Sequence, residues 1–417
     1  YSYGIQPYVN HLHASQCLTI AGTDIYHPTQ DDLTGAEIAF GGDLIRSLKQ
    51  DNYLVIETEA QGFPGWTPYK GQLRLLASGA NSVMYWHWHS IHNSFETYWK
   101  DLLSHDFQEN ATYREACIIG NEFARLGKHL VNLKKKNEVA VLVSNEALTA
   151  LNWFRIQEQA PGADAKSIYY NDVMRWMYDT LYHMNVECDF IWPESENLDQ
   201  YKAIIVPALY AAPDELLIRL NQYVENGGTL IASFKTAFAN ENVKVSHEVQ
   251  PHILSNCFGV HYDQFTFPKN VGLTGEVILK KTDQKGNAHP AANVFMELLV
   301  SEGAEVLASY EHYNWKDYAA ITRNHYGKGQ AVYIGCMTDE ETLKSVYKAV
   351  LPEADVEIPE YHYPIIVRKG LNDLGKTVCY FLNYSGMELE MPYDYKNGIE
   401  LLENTAVENG TALQMPA

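Results

Sequence analysis

Two short apolar runs, Tyr53–Ile56 and Ser82–Tyr85, constrain the fold of this chain more than any other feature. Both runs carry β-branched or aromatic residues and are too short for a buried helix, which favours strands of a buried parallel sheet. The first run is followed by the carboxylates Glu57 and Glu59, and the second by alternating Trp and His residues. Acids and aromatics at the carboxyl ends of neighbouring parallel strands are typical of the functional face of a (β/α)₈ barrel.

The residue types at these strand ends favour carbohydrate chemistry. Carboxyl groups perform proton transfer and nucleophilic attack on an acetal, and indole rings cover the apolar face of a pyranose. A capping acid beside a packing tryptophan is the alternative interpretation of any single pair. Three glutamates and four tryptophans within about fifty residues favour a sugar site, because a buried charge is costly unless it has a partner or a function. These residues are Glu57, Glu59 and Glu96 with Trp66, Trp86, Trp88 and Trp99.

The composition supports two or three domains with cores of their own, since 46% of the 417 residues are hydrophobic. The formal net charge of −21 argues against a nucleic acid or an anionic membrane surface as partner. No apolar run approaches the roughly 18 residues of a membrane span. No basic segment followed by an apolar one stands at Tyr1, so no signal peptide is expected and a cytoplasmic location is predicted.

The six cysteines are widely spaced, and none forms a C-x-x-C pair. Such spacing predicts buried, reduced thiols rather than disulfides or a metal centre. The cysteines are Cys17, Cys117, Cys188, Cys257, Cys336 and Cys379.

Residues 1–137 are predicted to contain only the carboxyl-terminal part of a barrel. A short strand is predicted at Cys17–Ala21, which places Asp24 and Tyr26 beyond a strand end, and a helix is predicted over Thr34–Leu48. Only about three strands precede the next domain, whereas a closed barrel needs eight strands and typically ~250 residues. The remaining barrel strands are therefore expected upstream of the residues seen here.

A long amphipathic helix is predicted over Asn110–Leu133, because apolar residues recur at helical spacing along it. The lysines of the run 134–136 complement the carboxyl end of such a helix. We interpret this run as a solvated helix end rather than as a binding patch. The apolar positions are Ala116, Ile119, Phe123, Leu126 and Leu130.

Residues 138–352 alternate strand and helix, which predicts a doubly wound parallel sheet. No G-x-G-x-x-G or G-x-x-x-x-G-K-[ST] motif opens a helix, so no nucleotide cofactor is predicted. Short alternating runs in residues 353–417 predict a small antiparallel β-domain. The clearest strands of the middle domain are Val139–Val143, Val186–Ile191, Ala203–Val206, Thr229–Ala232 and Gln330–Ile334, with helices at Asp172–Met184 and Pro213–Glu225.

Several long segments resemble glycoside hydrolase family 42. They are DIYHPTQDDLTGAEIAFGGDL, VIETEAQGFPGWTPY, LASGANSVMYWHWHSIHNSFETYWK and GGTLIASFKTAFANENVKV. The resemblance implies a retaining β-galactosidase with two catalytic glutamates, no cofactor and a homotrimeric assembly. It also implies three domains: part of the catalytic barrel at 1–137, a flavodoxin-like trimerisation domain at 138–352 and a small β-sandwich at 353–417. The zinc-binding cysteine cluster of some members is not matched here.

The resemblance also assigns roles to individual residues. Glu57 directly follows the apolar strand and matches the nucleophile, with Glu59 as the alternative because strand alternation gives both side chains the same direction. Tyr26 is expected to face the sugar pocket, and Glu96 is expected to bind a galactose hydroxyl. The tryptophans at pocket-lining positions are Trp66, Trp86 and Trp99.

Three histidines near the second strand raise the alternative of a metal site. Structural or sugar-contacting roles are the preferred interpretation, because glycoside hydrolysis by two carboxylates needs no metal. The histidines are His87, His89 and His92.

The sequence therefore predicts hydrolysis of terminal β-D-galactosides, such as lactose and galacto-oligosaccharides, by double displacement. In the family the general acid/base lies near the end of the fourth barrel strand, so we expect the 417-residue chain to be inactive by itself. A non-catalytic trimeric carbohydrate-binding or scaffold protein is the rival hypothesis. The linkage preference is left open.

Overall fold

The computed structural model describes residues 4–25, 34–49, 53–57, 77–85, 88–93, 95, 97, 101–157, 167–275 and 291–416, with the backbone alone for 53–57. Three regions of different architecture follow one another: a three-stranded parallel sheet with its helices, an eleven-stranded sheet, and a set of two-stranded antiparallel pairs. The predicted α/β class is confirmed, with an incomplete barrel, a flavodoxin-like sheet and an antiparallel β-region.

The first region is the barrel part, in which the predicted parallel pairing of the two apolar runs is confirmed. Its strands lie in the order β1-β2-β3 and all run parallel. Its elements are α1 (His11–Gln16), β1 (Ala21–Ile25), α2 (Ala36–Leu48), β2 (Tyr53–Glu57), β3 (Val83–Tyr85) and α3 (Ala111–Leu130).

The first strand begins later than predicted. Cys17 ends α1, and β1 starts only at Ala21. Along β1, buried residues alternate with exposed ones and the strand ends on the fully buried Ile25. The apolar residues before Ala21 do not belong to this buried side, and Leu18 and Ile20 are half-exposed. The predicted strand at Cys17–Ala21 was therefore wrong. The prediction relied on a run of apolar residues, whereas the buried side of this strand follows an alternating pattern.

The third strand is not buried, contrary to prediction. Met84 at its centre is 48% exposed. In the described sheet β3 is an edge strand that pairs with β2 alone. A parallel strand is buried only when neighbouring layers cover both faces.

Helix α2 packs tightly between the strands of the barrel part and the core of the second region. A Cβ atom on Gly41 would meet Cδ1 of Ile25 at 2.9 Å, and one on Gly42 would meet Cβ of Ser78 at 2.7 Å. The two glycines thus let α2 approach β1 and the segment before β3. The opposite side of α2 enters the core of the second region through Phe40, so most of the helix is buried.

Helix α3 is confirmed but ends three residues earlier than predicted. The side chain of Asn110 caps its start by accepting a hydrogen bond from the N–H of Tyr113 (3.0 Å). The helix ends at Leu130, and Val131 is extended. The lysines 134–136 therefore follow the helix in an extended segment rather than completing its last turn. This placement corrects the interpretation of the lysine run as a helix end.

The second region contains the eleven-stranded sheet, whose strands include the predicted ones with shifts of one or two residues. Its helices are α4 (Asn145–Trp153), α5 (Tyr170–His183), α6 (Asp214–Glu225), α7 (Ser255–Phe258) and α8 (Glu340–Val350). Its strands are β4 (Val139–Leu142), β7 (Cys188–Ile191), β8 (Ala203–Val206), β9 (Thr229–Ser233), β10 (Val260–Thr266), β11 (Gly272–Thr274), β12 (Asn293–Ser301), β13 (Glu305–Glu311), β14 (Ala319–Tyr326), β15 (Gly329–Ile334) and β16 (Cys336–Met337), beside the small pair β5 (Ile156–Gln157) and β6 (Ser167–Ile168).

The parallel part of this sheet has the order β15-β9-β8-β4-β7. Numbered along the chain, these strands run 5-4-3-1-2, which is the flavodoxin-like order. Antiparallel strands extend the sheet beyond β15. Strands β4, β7 and β8 are buried at every position, as expected for strands with helices on both faces.

The third region consists of short antiparallel pairs. Strand β17 (Ile365–Leu371) pairs with β18 (Thr377–Asn383) over their full lengths. Strand β19 (Leu389–Pro392) pairs with β22 (Ala412–Met415), and β20 (Gly398–Glu400) pairs with β21 (Thr405–Val407). Val378 and Tyr380 of β18 share an apolar cluster with β1, α2 and α3, so this region also packs against the barrel part.

All six cysteines are free, but the prediction that they are buried holds only in part. Cys188, Cys257 and Cys336 are buried, whereas Cys17 and Cys117 are exposed. The buried residues of α3 are Ile119, Leu126 and Leu130, and Cys117 lies off this apolar stripe.

None of the helices in the described ranges is both long and apolar enough to cross a bilayer.

Candidate active site

The three barrel strands end at the same level. In the register of the sheet, Glu57 of β2 pairs with Ile25 of β1 on one side and with Tyr85 of β3 on the other. Glu57 is the last residue of β2, and Ile25 and Tyr85 are the last residues of their strands. The carboxyl edge that the sequence identified is therefore a single edge, with Glu57 on its central strand.

Most of the predicted site residues lie outside the residues that the structure describes. For Glu57 the backbone alone is described. Its assignment as the nucleophile, and the roles of the residues around it, stay predictions. The predicted residues outside the described ranges are Tyr26, Glu59, Trp66, Trp86, His87, Glu96 and Trp99.

The segment after β3 is held by histidine and aromatic side chains. His92 donates a hydrogen bond from Nε2 to the carbonyl of His105 (2.6 Å), and His105 donates from Nε2 to the carbonyl of Thr97 (2.7 Å). The rings of His89 and His92 both contact Phe107, at centroid distances of 5.1 and 5.0 Å. These contacts favour the structural interpretation of His89 and His92. In the described ranges, no three His, Cys, Asp or Glu side chains are grouped as metal ligands.

Tryptophan 88 also belongs to this segment. Its indole is 60% exposed and contacts the ring of Tyr113 edge-on at a centroid distance of 6.3 Å. Backbone hydrogen bonds between Trp88 and Leu103 (3.0 Å) and between Ser90 and Leu103 (3.1 Å) bring the two ends of the segment together. Residues 88–90 are thus held against Leu103, and Trp88 presents an exposed aromatic surface beside α3.

A buried ion network anchors the barrel part to the rest of the chain. Asp43 of α2 accepts hydrogen bonds from Arg368 of β17 (3.0 Å) and from the hydroxyl of Tyr178 (2.7 Å). Arg46, one turn along α2, donates to Asp189 of β7 (2.7 Å). Two charged residues of one barrel helix therefore reach the second and the third region.

A second part of the network centres on Glu187. Its carboxylate accepts hydrogen bonds from Nζ of Lys135 (2.5 Å) and from Arg368 (3.2 Å), and its other oxygen accepts the backbone N–H of Lys369 (2.8 Å). Lys135 also donates to the carbonyl of Ala77, just before β3 (2.9 Å). Lys135 is therefore buried, although sequence analysis interpreted the whole lysine run as solvated.

The network is balanced in charge, and its cations lower the pKa of two of its acids. It contains three carboxylates and three cations, all with side chains no more than 11% exposed. Burial alone would raise the pKa of Asp43, but Arg368 and Arg46 lower it below its usual value. Burial would likewise raise the pKa of Glu187, and Lys135 with Arg368 lower it. The carboxylates are Asp43, Glu187 and Asp189, and the cations are Arg46, Lys135 and Arg368.

The predicted site residues did not include this network, although the sequence contains a signal for it. Asp43 and Arg46 interrupt the buried stretch of α2 at i, i+3 spacing, and such a pair needs partners when the helix is buried. Those partners lie 135 and 143 positions away, at Tyr178 and Asp189. Residue spacing along the sequence does not show which distant residues pair with a buried charge.

The fold and the strand-end acids define a class of protein, the barrel glycoside hydrolases that carry a flavodoxin-like domain after the barrel. The family model described as "Beta-galactosidase" matches residues 3–126, and the model described as "Beta-galactosidase trimerisation domain" matches residues 137–357. The chain therefore belongs to the β-galactosidases of glycoside hydrolase family 42, as the sequence resemblance implied.

Individual relatives agree with this family. BgaA, a β-galactosidase of Clostridium cellulovorans, is 28% identical over 393 residues, which cover 90% of this chain and 56% of the relative. LacZ, a β-galactosidase of Heyndrickxia coagulans, is 28% identical over 364 residues, which cover 85% of this chain and 52% of the relative. The chain thus spans about half the length of the curated relatives it matches.

Solved structures agree on the fold. The β-galactosidase from Bacillus circulans sp. alkalophilus superposes with a TM-score of 0.85 at 22% identity, covering 99% of this chain and 61% of that chain. The β-galactosidase from Rahnella sp. R3 gives a TM-score of 0.79 at 20% identity, covering 97% of this chain and 61% of that chain. At such identities the similarity supports the architecture alone.

Proposed function

We propose that the full-length protein is a retaining β-galactosidase and that Glu57 is its nucleophile. The observation that carries this proposal is the position of Glu57 at the carboxyl end of the central strand, level with the ends of β1 and β3. Barrel enzymes place their reacting groups at this edge. The carboxylate attacks the anomeric carbon of a terminal β-D-galactoside, such as lactose or a galacto-oligosaccharide, and water then hydrolyses the glycosyl-enzyme ester.

A second carboxyl group must protonate the leaving oxygen from about 5–5.5 Å away. We assign this acid/base to a barrel strand upstream of the residues seen here, in keeping with the half-length match to the curated relatives. The reaction needs neither a metal nor an organic cofactor. The rest of the pocket follows from the same family resemblance: Tyr26, Trp66, Trp86 and Trp99 line the sugar, and Glu96 accepts a hydrogen bond from a galactose hydroxyl.

The test compares Glu57→Gln with Glu59→Gln in the full-length protein, using the hydrolysis of a β-galactoside as readout. The amide is nearly isosteric with the acid but cannot form the covalent ester, so Glu57→Gln should lower kcat by several orders of magnitude. Glu59→Gln should retain measurable turnover. A 2-deoxy-2-fluorogalactoside should label the peptide that contains Glu57. A label on Glu59 would reassign the nucleophile, and galactoside binding without hydrolysis by the wild type would favour the non-catalytic rival.

The second region is proposed to serve assembly of a homotrimer. The supporting observation is the match of residues 137–357 to a trimerisation domain. The phosphate position of a flavodoxin-like fold is the amino end of the helix after the first strand. Here the side chain of Ser144 caps that helix at the N–H of Ala147 (3.1 Å), and the acidic Glu146 follows in its first turn. We therefore expect no nucleotide at this position.

Sedimentation of the full-length protein at micromolar concentration checks the assembly. A mass of three subunits is expected, and a stable monomer would contradict the proposal. A nucleotide that binds beside Ser144 would contradict the assignment of the region to assembly alone.

A further inference from the structure

A cleft of about 400 Å³ lies where the three regions meet. Its walls come from the extended segment after α3, from the amino ends of β4 and β7, and from the hairpin β17–β18. Its volume lies within the range of about 300–1,000 Å³ that is typical of small-molecule sites. We call it the junction cleft. The residues that carry the inference are Lys134, Lys136, Lys369, Glu357 and Tyr395.

The backbone register explains why lysines converge on this cleft. Lys134 and Leu371 form an antiparallel bridge in which each N–H donates to the other's carbonyl, at 2.8 and 3.0 Å. Lys136 lies two residues after Lys134, and Lys369 lies two residues before Leu371, and both line the cleft beside this bridge. Side chains alternate along extended segments. The buried Lys135 therefore lies on the inner side, while the exposed lysines 134, 136 and 369 lie on the outer side.

The acids near the cleft do not neutralise these outer lysines. Glu187 is already held by Lys135, by Arg368 and by the backbone N–H of Lys369. Glu138 pairs with Lys202 at 2.6 Å. Glu357 is the remaining acid of the lining. Among the residues that the structure describes, no ion pair joins an acid to the side chain of lysine 134, 136 or 369.

This arrangement is electrostatically unfavourable without a ligand. Like charges gathered on one concave surface repel one another, because such a surface strengthens the field of the charges that line it. Apart from the paired Glu138 and Glu187, the lining holds three lysines and one acid, in a chain with a net charge of −21. An anion in the cleft would remove the repulsion. Lysine side chains bind phosphate groups as point charges.

We propose that the junction cleft binds the phosphate group of a small molecule. The group lies between Lys136 and Lys369, with Lys134 on one side. The ring of Tyr395 forms a wall for the rest of the ligand and is itself packed against Phe381 and Tyr393, with both centroid distances at 5.6 Å. An aromatic wall beside a phosphate site suits the ring of a sugar phosphate, and free phosphate shares the anionic chemistry. The proposal is independent of the catalytic assignments.

The test is calorimetric titration of the full-length protein with inorganic phosphate, with a hexose 6-phosphate and with the neutral hexose, all at constant ionic strength set by sodium chloride. The double variant Lys136→Gln, Lys369→Gln should weaken phosphate binding at least ~10-fold, since each lost charge contact to phosphate contributes. The matched control is Lys328→Gln, an exposed lysine in the turn between β14 and β15. Lys328→Gln should bind phosphate as the wild type does.

A melting experiment shows whether the double variant is folded. Without phosphate it should melt at or above the temperature of the wild type, because the substitution removes repulsion between like charges in the cleft. Tighter binding of the hexose 6-phosphate than of inorganic phosphate identifies a sugar phosphate as the ligand, and equal binding identifies free phosphate. The proposal is overturned if phosphate stabilises the protein no more than chloride does, if the neutral hexose binds as tightly, or if the double variant keeps wild-type affinity.

Discussion

The described residues contain two sets of parallel strands, which differ in how the strands are covered. In the flavodoxin-like sheet, β4, β7 and β8 are buried at every position. In the barrel part, β3 alternates between half-buried and exposed, with Met84 48% exposed. The strand sequences are similarly apolar. The comparison shows that a parallel strand becomes buried only through the layers around it, and that the described barrel part supplies such layers on the side of α2 alone.

The two regions are also stabilised differently. The flavodoxin-like region has a continuous apolar core, in which Tyr178 and Phe190 stack at a centroid distance of 5.5 Å. The barrel part adds the buried charges Asp43 and Arg46, which pair with each other at 3.4 Å and also have partners outside it. Buried ion pairs stabilise little relative to apolar packing, but breaking one is costly. We therefore expect the attachment of the barrel part to be more sensitive to single charge changes than the flavodoxin-like core.

The largest effect is expected for Arg368→Met in the full-length protein. The change leaves Asp43 and Glu187 buried with fewer partners, which should destabilise the attachment of α2 by about 3–5 kcal/mol. Hydrogen exchange of peptides from residues 36–48 should accelerate by more than ~100-fold, while exchange in β8 and β9 changes little.

The matched control for this change is Arg323→Met. Arg323 also bridges two carboxylates, Glu305 and Glu353, both at 2.7 Å, but these acids are more than 40% exposed. Its loss should cost about 0–1 kcal/mol. Equal effects of the two substitutions would contradict the distinction between the junction and the surface.

Acidification should act with opposite sign at the buried ion network and around Glu297 in the flavodoxin-like sheet. The pKa of Asp43 and of Glu187 is lowered in the folded protein, so their stabilisation is complete above the ordinary values of 3.8 and 4.5 and is lost as the pH falls through the folded pKa. In the flavodoxin-like sheet, burial raises the pKa of Glu297, although Lys235 opposes the shift. Protonation of Glu297 as the pH falls therefore favours the folded state.

Hydrogen exchange of the full-length protein between pH 7 and pH 3, corrected for intrinsic rates, measures both effects. Protection of α2 should fall below about pH 4, while protection around β12 should be retained or increase. Loss of protection around β12 before α2 would contradict this order. The variant Glu297→Gln should remove the pH response of β12 and leave that of α2.

The smallest effects are expected for a pair of glycine substitutions. Gly42→Ala places a Cβ atom 2.7 Å from Cβ of Ser78 and should destabilise the packing of α2 by about 1–3 kcal/mol. Gly120→Ala in α3 meets no heavy atom within 4 Å and should stabilise by about 0.5–1 kcal/mol, because alanine favours a helix. Thermal melting of both variants checks the difference in sign. A stabilising Gly42→Ala would show that α2 can move away from the segment before β3.

The sequence by itself determined the local elements and their order. Apolar runs such as Ala203–Val206 are strands at the predicted positions, and Asn110 caps the predicted long helix, because both features depend on residues close together in the chain. The alternation of strand and helix predicted the doubly wound parallel sheet in the same way, whereas the flavodoxin-like domain was implied by the family resemblance and its strand order is seen only in the folded sheet. For the candidate site, the sequence placed Glu57 at a strand end, and the register of β1, β2 and β3 agrees.

Tertiary structure alone decided which residues of these elements are buried and what they contact. The three adjacent lysines 134–136 were predicted from the sequence to be solvated together. In the structure, Lys135 is buried against Glu187, while its two neighbours line a cleft. The pairing of Asp43 with Arg368 joins residues 325 positions apart. Alternation and helical periodicity depend on neighbours along the chain, whereas the burial of a charge is decided by the free energy of partners that only folding brings together.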